Sequence, residues 1–215
     1  MLNVIVREHL RRVGPLLIAL AAIAAALPVL SVRAVFGHGL AVDSMRVLST
    51  AAGMSPYFPL LAFIIGLAIA MTAWNADHDG GHVYALSLPI PRWHYALLRL
   101  GAGLLLLVPA FTALALSATI VTAAVELPPS IHAYPLALTI RFCATTLVTF
   151  SLFFSIAAGS KKSAAWGLLA IFIVLIADSL YQASTGSSYS PLFDVLLASR
   201  SPFSFFFGQW SLVDV

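Results

Sequence analysis

The chain has 215 residues, of which 61% are hydrophobic and 9% charged, with a net charge of +3 and a mean hydropathy of +1.00. A soluble domain carries about 25% charged residues, and one of this length could not hide so much apolar surface, so the bilayer is the expected solvent. The basic residues are scattered, with no Lys/Arg-rich block that would address nucleic acid, and a single cysteine, Cys143, excludes an internal disulfide and makes a Cys-based metal site unattractive.

Residues 2–12 place Leu2, Ile5, Val6 and His9 on one helical face, with Asn3, Arg7, Glu8, Arg11 and Arg12 on the other. That pattern predicts an amphipathic helix lying in the headgroup region. The apolar run over 13–32 is as long as a span and too long for the core of a signal peptide, so a retained first transmembrane helix is expected. A second span covers 57–74 and a third 95–124, where Pro109 should kink the helix and Pro128-Pro129 end its extension. The fourth covers 136–158, and the fifth, 164–180, follows the short doubly basic loop Gly159-Ser160-Lys161-Lys162-Ser163. These runs are continuous rather than alternating, which excludes a closed β-barrel. Alanines at 19, 21, 22 and 24–26, together with Gly101 and Gly103, permit close helix contact. The predicted fold is an all-α polytopic bundle of five spans plus the interfacial helix, forming one transmembrane domain over 1–180. Residues 181–215 hold a polar loop and short aromatic stretches ending near Trp210, an expected extracytoplasmic and interfacial segment.

Basic residues set the expected orientation. A cytoplasmic N-terminus puts Arg7, Arg11, Arg12, Arg92, Arg99, Lys161 and Lys162 inside, and Arg33, Arg46, Arg141 and Arg200 outside. Seven against four favours that arrangement, in a cell inner (plasma) membrane. Arg141, Asp178 and Glu126 then lie near outer span ends, where they reach the headgroups or pair.

The polar segment Asp77–Arg92 stands between two long apolar runs, where polar residues are scarce. His78 and His82 with Asp77 and Asp79 invite a metal site, but Gly80-Gly81 between the histidines weakens the helix that would bring them to one face. Asp77 and Asp79 as an acid–base pair lack a nucleophilic partner. Leu86, Leu88 and Ile90 are apolar in a loop with no lipid to meet, and Val83, Leu86 and Ile90 have helical spacing, with Pro89-Ile90-Pro91 expected to end the helix. A short helix of this kind suits a groove on a cytosolic partner protein.

An acid, a glycine, then Leu86-Ser87-Leu88-Pro89-Ile90-Pro91-Arg92 and a new long span resemble the membrane subunit of ATP-binding-cassette transporters of the type-2 exporter class. The resemblance implies that Asp79 stands near the family's acid, Gly80 and Gly81 at its glycine, and Leu86, Leu88, Pro89 and Arg92 at the motif containing the coupling helix. Arg99 matches the basic residue early in the third span, and residues 2–12 look like the family's elbow helix. His82 departs from a threonine and Tyr84 from a commonly acidic position. The implied function is a permease subunit that couples ATPase closure to export. The implied partners are a nucleotide-binding ATPase subunit, a second membrane subunit (the same chain or another) and the lipid bilayer. No cofactor, metal or catalytic residue is implied, and no Gly-x-x-x-x-Gly-Lys-Ser/Thr loop occurs, so ATP hydrolysis would belong to the partner. Family members generally have six spans, so a sixth helix is expected to be missing from this chain or supplied elsewhere, with a complete five-span variant as the alternative. The alternatives are a membrane-embedded metal-dependent enzyme built on the histidines, and an accessory membrane protein.

Overall fold

The structure is a computed structural model that describes residues 2–33, 44–75, 77, 91–128, 130–159, 161–185 and 210–214. Its elements are α1 (Leu2–Ser31), α2 (Ser44–Met54), α3 (Tyr57–Ala73), α4 (Arg92–Ala124), β1 (His132–Ala133), α5 (Pro135–Ala157), α6 (Lys161–Thr185) and β2 (Val213–Asp214). Five helical segments are long and apolar enough to cross a bilayer: Asn3–Ser31, Ser44–Ala73, Arg92–Ala124, Pro135–Ala157 and Ala165–Thr185. Large apolar side chains point outward along them, among them Ile18, Leu116, Ile120, Ile140 and Phe172. A water-soluble surface does not carry apolar exposure on this scale. The chain is an all-α, multi-pass membrane protein.

The expected amphipathic face is present at the N-terminus, but as the first turns of α1 rather than as a separate helix. Ile5, His9 and Val13 are buried, while Arg7, Glu8, Arg11 and Arg12 are exposed, and Arg12 donates to Glu8 one turn back at 3.3 Å. At about 1.5 Å per residue, 30 residues extend roughly 45 Å, well beyond a hydrocarbon core of about 30 Å. The charged face of the first turns therefore belongs to the headgroup layer without a break in the helix.

Two further elements escaped the pattern of long apolar runs. Residues 44–54 form α2, whose Val47 and Ala51, four apart, are buried. Residues 210–214 turn back onto the body of the protein. His132 pairs with Asp214 and Ala133 with Val213 in an antiparallel bridge, and Tyr134 N–H donates to the Leu212 carbonyl at 2.9 Å. Trp210, Leu212 and Val213 are buried, so Trp210 packs inside the protein rather than floating at the interface. Trimming Leu212, which is fully buried, to alanine should cost about 2–5 kcal/mol. Thermal unfolding of the purified protein in detergent measures this, and an unchanged midpoint would show that the strand pairing bears no weight.

α1 packs along α4, α3 along α5, and contacts between α4 and α5 join the two pairs. Lipid is as apolar as leucine, so close packing rather than the hydrophobic effect must hold these helices together. Gly66 on α3 lets the α5 backbone approach: a Cβ there would sit 2.8 Å from the Thr146 carbonyl oxygen and 3.0 Å from the Phe150 nitrogen. Gly103 on α4 leaves room for the Phe150 ring. α4 continues through Pro109 as one helix. α6 lies along α5, with Gly167 close to Ile156, and exposes most of its apolar side chains.

Candidate functional site

The start of α1, the end of α3 and the start of α4 meet at one end of the bundle, and buried polar side chains gather there. Arg99 lies two turns into α4, with its side chain 5% exposed. A guanidinium so enclosed needs acceptors for its donors and a counter-charge. Asp77 supplies the charge: its Oδ2 is 3.1 Å from Arg99 Nη2, and its side chain is 1% exposed. Tyr95, one helical turn before Arg99, stands between them. Its hydroxyl accepts from Arg99 Nε at 3.0 Å and Nη2 at 2.7 Å, and donates to the Asp77 carboxylate, 2.8 Å from Oδ1 and 3.0 Å from Oδ2.

The remaining arm of Arg99 serves the backbone. Nη1 donates at 3.0 Å to the carbonyl of Ala73, the last residue of α3. The final carbonyls of a helix have no partner within it and carry partial negative charge, so a cation placed there caps the helix and answers its dipole. One side chain thus neutralises Asp77, orients Tyr95 and closes the end of α3.

Aromatic rings and a histidine wall this network. Trp74 meets the Tyr95 ring edge-on at 6.4 Å and lies 5.2 Å from the Phe154 ring on α5. On the α1 side, buried His9 has Nε2 3.1 Å from Thr72 Oγ1. The Thr72 hydroxyl already donates to the Ala68 carbonyl at 2.8 Å, so His9 Nε2 is the donor in this contact. Among the described residues, His9 Nδ1 and Trp74 Nε1 are buried without a hydrogen-bond partner.

Of the residues singled out from the sequence, Arg92 is the first residue of α4 and is exposed. It follows Pro91, whose φ of −57° and ψ of 138° turn an extended chain into the helix. Asp79, Gly80, Gly81, Leu86, Leu88 and Pro89 lie outside the described residues, as do His78 and His82. Asp77, which a metal site would recruit, is neutralised by Arg99, and both its oxygens are engaged. Sequence reasoning passed over Tyr95 as a site residue and gave Arg99 a place only in the orientation count and by resemblance. The available signal was physical. An arginine two turns inside an apolar helix requires a partner, Asp77 and Asp79 are the acids that shortly precede it in the sequence, and a residue four before the arginine shares its face.

The arrangement is a charge-balanced clamp. It fixes the residue that opens the 77–92 segment to the helix that follows that segment. Comparison with protein-family models, with characterised proteins and with solved structures finds no match to this chain.

Proposed function

We propose that this chain is the membrane-spanning permease subunit of an ATP-driven exporter of the ATP-binding-cassette type. In this reading residues 77–92 receive the stroke of a cytosolic nucleotide-binding subunit. The observation that carries it is the tie between Asp77 and the Tyr95–Arg99 pair. A loop transmits force only if its ends cannot yield independently of the helices they join. Here the first residue of the segment is bound to α4, and Arg99 also grips the end of α3. A push on the segment therefore moves α3 and α4 together. Through the contacts of α4 with α1 and of α3 with α5, it tilts the bundle as a body.

The reading places the N-terminus and the 77–92 segment on the cytoplasmic side of the inner membrane and requires a second membrane subunit to complete a path. Asp79, Gly80 and Gly81 shape the turn, Leu86, Leu88 and Pro89 enter the ATPase groove, and Arg92 sits at its rim. The chain itself hydrolyses no ATP. The test is affinity capture of the full-length protein from its native membranes. The expected co-purifying protein binds nucleotide through a phosphate-binding loop, and Leu86→Asp or Leu88→Asp should reduce its recovery tenfold or more, while His78→Ala and His82→Ala leave it unchanged. Undiminished capture after the leucine changes would sink the docking role. Loss with the histidine changes alone would favour the metal-dependent alternative.

A further inference from the structure

At the end of the bundle opposite the clamp, the strand pairing and the start of α5 enclose a half-open cavity of about 320 Å³ lined by Tyr134, Ala137, Leu138, Arg141, Ser211 and Asp214. Its polar equipment is unusual for this chain, in which only 9% of residues are charged. Its described lining residues include a guanidinium, a carboxylate, a phenol and a hydroxyl. Arg141 and Asp214 both line the cavity, so a cationic and an anionic side chain share one recess. A guanidinium has five donors, so Arg141 can keep its contacts within the protein and still bind an anion.

The setting restricts the ligand further. The cavity lies where α5 begins, at the boundary of a candidate span. Leu136 and Ile140, 70% and 69% exposed, lie one helical turn apart on the face next to Ala137 and Arg141. Apolar side chains so exposed on a spanning helix face acyl chains. A ligand seated in the cavity with its tail along Leu136 and Ile140 is an amphiphile with a compact dipolar head.

We propose that this cavity binds the headgroup of an aminophospholipid, with the phosphate on Arg141 and the primary ammonium on Asp214. The chemistry discriminates among headgroups. A primary ammonium donates hydrogen bonds to a carboxylate, a quaternary choline cannot, and a glycerol headgroup brings no positive charge. The site needs no ATPase and stands apart from the transport reading.

The experiment uses the full chain purified in detergent and titrated with phosphatidylethanolamine, phosphatidylcholine or phosphatidylglycerol of matched acyl chains, following bound lipid by native mass spectrometry and the unfolding midpoint. Phosphatidylethanolamine should bind about tenfold more tightly than phosphatidylcholine, the difference made by one hydrogen-bonded charge. Asp214→Asn should erase that preference while phosphate-dependent binding remains, and Arg141→Gln should weaken all three lipids. Asp214→Asn should unfold like the parent without lipid, because the strand pairing of Asp214 runs through its backbone, and this separates a binding defect from a folding defect. Equal affinity for the three lipids, or a preference that survives Asp214→Asn, would overturn the proposal. Soluble phosphoethanolamine binding as tightly as the lipid would overturn the membrane source of the ligand.

Discussion

Asp77→Ala should destabilise the purified protein by about 3–5 kcal/mol, because it strands the Arg99 guanidinium in a site that is nearly sealed from solvent. Arg99→Leu should cost a similar amount from the other side, leaving Asp77 without its counter-charge and the Ala73 carbonyl without its donor. Tyr95→Phe keeps the ion pair but removes the hydroxyl that accepts from Nε and Nη2 and donates to the carboxylate, for an expected loss of about 1–3 kcal/mol. The informative variant is the double replacement Asp77→Leu with Arg99→Leu. Two apolar side chains strand no charge, so its loss should fall far below the sum of the single losses. Unfolding in mixed micelles with increasing denaturing detergent measures all four. Additive single losses would mean that the two charges do not depend on each other, and the clamp would then be a coincidence of position. Under the transport reading, Tyr95→Phe has a second expected effect: substrate-stimulated ATPase activity of the assembled complex falls while its assembly persists.

That clamp also shows how far composition and periodicity reach. A membrane solvent makes long apolar helices nearly obligatory, so runs such as 136–158 and 164–180 predict α5 and most of α6 to within a few residues. Boundaries fail where polar residues extend a helix into the headgroup layer. α4 begins at Arg92 and not at Tyr95 because a proline immediately upstream sets the start, whatever the polarity of the first turn. α2 was hidden because its buried face is only Val47 and Ala51, too narrow for a signal in an apolar chain. The pairing of His132 and Ala133 with Asp214 and Val213 spans some eighty positions and leaves no local mark. The site was half legible. Asp77 stood out as an acid in a polar island, but chemistry was sought among its neighbours in sequence. Its partners lie on the next helix, one and two turns in, where a tyrosine and an arginine read as the ordinary start of a span.

Packing at the bundle centre yields the second large effect, and its pattern separates three glycines in similar apolar surroundings. Gly101→Ala should be neutral or stabilising by up to about 1 kcal/mol, since nothing lies within 4 Å of the new methyl and alanine is the better helix former. Gly66→Ala adds the same methyl against the α5 backbone, at 2.8 Å from the Thr146 oxygen and 2.9 Å from Thr149 Cβ. A backbone cannot rotate away, so α3 and α5 must separate along their shared length, at an expected cost of about 1–3 kcal/mol. Gly103→Ala meets the Phe150 ring instead, and Phe150 is fully buried, boxed among its neighbours. It should therefore destabilise as well, but through a side chain that can be shortened. Phe150→Leu should relieve part of the Gly103→Ala loss and leave the Gly66→Ala loss almost untouched, because the atoms in its way belong chiefly to the main chain of α5. Unfolding midpoints of the three single variants and the two doubles decide it. If Phe150→Leu rescues both glycine variants equally, the close approach of α3 to α5 is set by the ring and not by the backbone.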